Sequence, residues 1–122
     1  MTTKLNLREN LELPSFDTTS DIENFQNQTL RSILKLQNDG YLAVFTHYAI
    51  KQKVKLTALT KEQRRIFIGQ SLQKDVALKN LMLGMTVGLL TPDELEFYLT
   101  ESKECNRRIM TMLVERITGQ ML

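Results

Sequence analysis

The residues best equipped for chemistry sit inside an apolar pattern that has no evident place for them. Projected at about 100° per residue, segment 61–87 carries its apolar side chains in two stripes. Phe67, Leu78, Leu81, Met82 and Met85 form one stripe, and Ile68, Leu72, Val76, Leu83 and Val87 the other. Lys74 falls inside the first stripe, Lys79 inside the second, and Asp75 on the seam between Met82 and Ile68. Asp75 precedes Lys79 by four residues, the favourable order for a helical ion pair. With Arg107 and Arg108 arriving from the last helix, these groups are expected to form a salt bridge at the edge of an interface. The alternative is a small polar site in which Lys74, Lys79 and the arginines bind an anion within the bundle.

A second cationic group, Lys51, Lys53, Lys55, Lys61, Arg64 and Arg65, surrounds the first connection and is opposed only by Glu62. Asp93, Glu94, Glu96, Glu101 and Glu104 follow the second connection, with Lys103 against them. Basic side chains at a connection suit phosphates, so a nucleic acid or an acidic partner is an alternative occupant, although a net charge of +2 is small for such a binder. In an up-down-up bundle the two connections lie at opposite ends. The clusters then neutralise each other only between antiparallel subunits.

Groups for catalysis are scarce. His47 is the only histidine, which excludes a multi-histidine metal site within one chain, and neither HExxH nor CxxC spacing occurs. His47 lies at the margin of an apolar helical face and is expected to be a hydrogen-bonded structural residue. Cys105 lies on an apolar line and reads as a buried, inert thiol. Met82, Met85, Met110 and Met112 read as adaptable core or interface filler. The acids of "TPDELE" and "ESKE" read as first-turn carboxylates or a solvated face. No catalytic, cofactor-binding or metal-binding residue is assigned.

The elements that must position these residues are helices. Ser20 with Glu23, Thr60 with Gln63, and Thr91 with Glu94 each match a capping box, in which hydroxyl and Glu or Gln satisfy backbone N–H groups reciprocally. Pro92 occupies the first helical position of the third box, and Leu90 and Leu95 have the spacing of a hydrophobic staple. The expected architecture is all-α, an elongated bundle of three long helices at about 21–52, 61–87 and 92–118, within a domain spanning 20–122. It becomes four helices if the first breaks near Asn38 to Gly40 or the third near Thr100 to Ser102. In "LKNLMLGMTVGLLTPDE" (78–94), Gly84 reads as a point of close helix approach and Gly88 as the residue just past a helix end, where a left-handed backbone is easily adopted. The apolar run there is about half the length that spans a bilayer.

Residues 1–19 alternate Leu5, Leu7, Leu11 and Leu13 with mostly polar neighbours up to Pro14, the pattern of an extended or flexible arm. A hydrophobic fraction of 42% with 25% charged residues suits one globular domain. One cysteine and an N-terminus without a continuous apolar core point to a cytoplasmic location. Three helices of about 40 Å leave part of the two-striped helix uncovered, so a symmetric homodimer is expected. These features together suggest a non-enzymatic helical interaction or assembly protein that self-associates through helix 61–87.

The segments "FQNQTLRSILKLQNDGYLAVF", "SLQKDVALKNLMLGMTVGLLTPDE" and "CNRRIMTMLVERI" resemble a family of short uncharacterised bacterial proteins, some of which carry the label glyoxalase. The resemblance covers most of residues 25–118, and its motifs are structural. Glyoxalase I enzymes use paired βαβββ modules and a metal held by histidine and glutamate, and a glyoxalase II site needs a histidine-rich metal motif. A helical chain with one histidine supplies neither, so the sequence does not support that activity.

Overall fold

A computed structural model of the chain describes residues 21–121. The expected arm and the Ser20 capping box lie outside the described residues. Six helices and no strand are found among those described. Helix α1 (21–36) runs through an α turn Asp21–Asn24, a π-helical stretch Phe25–Leu30 and an α stretch Arg31–Leu36. Then come α2 (Asn38–Lys51), a 3-10 turn (Leu56–Ala58), α3 (Lys61–Lys74), α4 (Val76–Val87), α5 (Pro92–Thr100) and α6 (Ser102–Met121). The all-α class holds, but the three long helices do not. Each expected helix is divided in two, at Gln37, Asp75 and Glu101.

The three divisions have different causes. At Gln37 (φ −91°, ψ 9°) the ladder persists, with Gln37 N–H donating to Ile33 O and Tyr41 N–H to Gln37 O, so α1 and α2 meet at a kink. At Glu101 (φ −125°, ψ 32°) the backbone leaves helical geometry between α5 and α6. The division at Asp75 was not expected, because no proline or glycine marks it. Its backbone is extended (φ −83°, ψ 105°), and its Oδ1 accepts from Leu78 N–H at 3.0 Å, making Asp75 the N-cap of α4.

That break bears on the two stripes. Helix α3 buries Ile68, Ser71 and Leu72, whereas α4 buries Leu78, Met82 and Thr86. The break accounts for only part of the pattern, since α4 by itself carries members of both stripes, with Leu78 and Met82 buried and Leu83, Met85 and Val87 partly buried against the core. Nor is 61–87 the centre of the molecule. Helix α6 packs against α3, α4, α5 and the π-helical part of α1, and buries Cys105, Ile109, Met110, Met112, Leu113 and Ile117. Over 20 residues it is about 30 Å long, enough to run beneath several shorter helices.

The remaining boxes form as read. Thr60 N–H donates to Gln63 Oε1 at 2.9 Å and Gln63 N–H to Thr60 Oγ1 at 3.1 Å. Thr91 N–H donates to Glu94 Oε1 at 2.9 Å and Glu94 N–H to Thr91 Oγ1 at 3.3 Å. Of the two glycine expectations, that for Gly84 fails and that for Gly88 holds in part. Open space surrounds Gly84, while the close approach occurs at Gly40, where a Cβ would come within 3.0 Å of Met85 Cε. Gly88 directly follows the end of α4 at Val87, as expected, but is right-handed (φ −61°, ψ −17°). The left-handed residue is Lys53 (φ 60°), which closes α2 in a Schellman arrangement with Val54 N–H donating to Ala49 O and Lys53 N–H to Ile50 O.

Candidate functional site

A groove of about 810 Å³, open to solvent, lies between the α3–α4 junction and α6. Its floor is apolar, with Leu72, Val76 and Leu83 on one wall and Met110 and Val114 on the other. Lys79 stands on the α4 rim, and Lys103, Arg107 and Glu115 on the α6 rim. The two walls come from helices with different jobs. Asp75 starts α4 at an angle to α3, which turns Val76 away from the core and leaves it 68% exposed at the lip.

The expected five-residue polar site is not assembled. Lys79 and Arg107 line the groove; Lys74, Asp75 and Arg108 do not. Among the described residues no ion pair joins Asp75 to Lys79, because the Asp75 carboxylate is turned onto the start of its own helix. Lys74 is exposed in the last turn of α3, where its charge complements the helix dipole. Both arginines instead take Glu104. Arg107 grips it bidentately, with Nε donating to Oε2 at 3.0 Å and Nη2 to Oε1, and Arg108 Nε donates to Oε1 at 2.9 Å. Arg108 Nη1 also donates to Gln26 Oε1 at 2.7 Å, tying α6 to the π-helical stretch.

These bonds set the local charges. The hydrogen bonds from Arg107, then those from Arg108, hold the Glu104 carboxyl down at about 2, and Glu104 in turn raises the Arg107 guanidinium. Glu104 is the first-turn carboxylate expected of "ESKE", and its pairing with both arginines is what the sequence did not suggest. Its spacing of three and four from the arginines is the signal for that pairing, and it competes with the equally local spacing of Asp75 and Lys79. Lys103 was likewise read only as an opposing charge, and its place on the groove rim depends on how α6 faces α4.

The basic residues of the first connection are mostly on the surface. Lys51, Lys53, Lys55, Lys61 and Arg65 are exposed, while Arg64 is half-buried and donates through Nη1 to Leu56 O at 3.4 Å. A second, more apolar recess of about 410 Å³ lies between α2 and α4, lined by residues including Val44, His47, Tyr48, Leu78 and Leu81. His47 is exposed there and makes no hydrogen bond among the described residues, contrary to expectation. Cys105 is fully buried, and burial, followed by the nearby Glu101 charge, pushes its thiol pKa up. Such a thiol is a poor nucleophile.

Among the described residues no group of three or more His, Cys, Asp or Glu side chains is arranged to hold a metal ion. No described helix is long and apolar enough to cross a membrane. Comparison of the chain with family models, curated proteins and solved structures gives no match.

Proposed function

We propose that this protein is a non-enzymatic helical interaction protein of the cytoplasm that assembles with a second copy of itself across α4. The observation carrying this reading is the exposure of α4's flanks, Val76 at 68% and Leu81 at 52%, each lining a different recess. Apolar side chains on both flanks of one helix, each beside a concave surface, support an interface there. Light scattering on the eluting protein is expected to give twice the chain mass. Asp at both Val76 and Leu81 is expected to give a folded monomer with unchanged helical circular dichroism. A wild-type monomer at high micromolar concentration overturns the proposal.

A second reading rests on the exposed bases Lys51, Lys53, Lys55, Lys61 and Arg65 at one connection, which suit the phosphates of a nucleic acid. It requires a mobility shift that weakens with salt, and the absence of a shift at low salt ends it. Glyoxalase chemistry is not part of the proposal, and a metal-supplemented lactoylglutathione assay is expected to stay at background.

A further inference from the structure

We propose that the groove between the α3–α4 junction and α6 receives α5 of a second copy. This rests on the self-association reading above and names the surfaces that carry it. Helix α5 buries none of its residues fully and leaves Leu95 36% and Leu99 64% exposed. Their spacing of four puts both on one stripe, about 6 Å apart along the axis. Glu96 and Asp93 are exposed on the same helix. Leu99 and Glu96 are three apart and therefore neighbours on its surface. The helix thus offers an apolar pair flanked by acid.

The groove offers the complement. Leu72, Val76, Leu83, Met110 and Val114 give it an apolar lining, and of its rim charges Lys79 and Lys103 stand on opposite sides with no acid partner among the described residues, Glu115 being the acid on the α6 rim. Arg107, by contrast, already holds Glu104. The two lysines are therefore the cations available to Glu96 and Asp93 of an incoming helix.

Position along the chain favours a closed pair over an open string of copies. Helix α5 ends at Thr100 and the rim begins at Lys103, so donor and acceptor surfaces adjoin across Glu101. Two copies related by a twofold axis near this corner place both exchanges side by side.

Analytical ultracentrifugation of four full-length proteins tests this: wild type, Leu99→Asp, Glu96→Lys and Lys103→Glu. All three substituted side chains are exposed, and helical circular dichroism confirms folding. The wild type is expected to dimerise, more weakly as salt is raised. Leu99→Asp is expected to be monomeric. Glu96→Lys and Lys103→Glu are each expected to weaken the dimer at least about tenfold, and mixing the two to restore a heterodimer by placing opposite charges in one of its grooves. A wild-type monomer overturns self-association and this proposal together. A dimer unchanged by all three substitutions, or weakened by them without recovery on mixing, overturns the α5 assignment alone.

Discussion

The Asp75 carboxylate occupies a helix N-cap, satisfying a backbone N–H that would otherwise be left without a partner at the start of α4. Asp75→Ala is expected to lower unfolding free energy by about 1 kcal/mol in urea titration, and Asp75→Asn to retain most of it. Loss of the Lys79 charge is expected to have little effect on stability, since no ion pair with Asp75 exists to lose. Lys53 gives the opposite case. A lysine held at φ 60° pays a steric cost that glycine avoids, so Lys53→Gly is expected to raise stability by about 0.5–1 kcal/mol in the same measurement. The sequence identified Asp75 as anomalous but misjudged its role. A helical projection presumes an unbroken helix, and a lone capping Asp without a Glu or Gln three residues later does not announce itself. Thr60 and Thr91 were legible because each box is complete within four residues.

Helices α2 and α4 are joined by a buried hydroxyl chain beside the close approach at Gly40. Thr86 Oγ1 donates to Met82 O at 3.0 Å, which leaves it to accept from the Tyr41 hydroxyl at 2.6 Å. Both side chains are fully buried, so the two ends of the bond are not equivalent to remove. Thr86→Val strands the Tyr41 hydroxyl and is expected to cost about 1–3 kcal/mol, whereas Tyr41→Phe leaves Thr86 bonded to its own helix and is expected to cost about 1 kcal/mol. The double variant is expected to be more stable than the sum of the single losses predicts, a coupling measurable by a denaturant double-mutant cycle. Periodicity made Tyr41 and its helix readable, since Tyr41, Val44, Phe45 and Tyr48 mark one face. The partner of Tyr41 lay 45 residues away, and no local rule links the two. The central role of α6 was hidden for the same reason: its apolar line resembles that of any amphipathic helix until the neighbours are in place.

For the molecule as a whole, two groups tie stability to pH in opposite ranges. Glu104 is held at about 2 in the folded chain against an ordinary 4.5, so its contribution is complete above 4.5 and is lost as pH falls from there towards 2. Glu104 is partly open to solvent and its contribution is small; Glu104→Gln is expected to flatten the acid limb of a thermal-denaturation series slightly. Tyr41 is shifted the other way, chiefly by burial, with the Thr86 bond and Arg116 opposing. The unfolded chain releases this proton near 10 while the folded chain keeps it, so stability is full below 10 and falls as pH rises above it. Tyr41→Phe is expected to remove that alkaline loss, and tyrosinate absorbance at high pH to show one late-titrating phenol. The all-α class was open to sequence reading because caps and periodicity are local, while the groove was not, because its two walls meet only after the chain turns at Asp75 and Glu101. Cys105 has one more use. It is the chain's sole thiol, and it lies fully covered in the α6 face around which the other helices gather. Its labelling by a thiol reagent is therefore a clock for breathing: the rate measures how often the helices part, and slows whenever a second copy or another partner holds them shut.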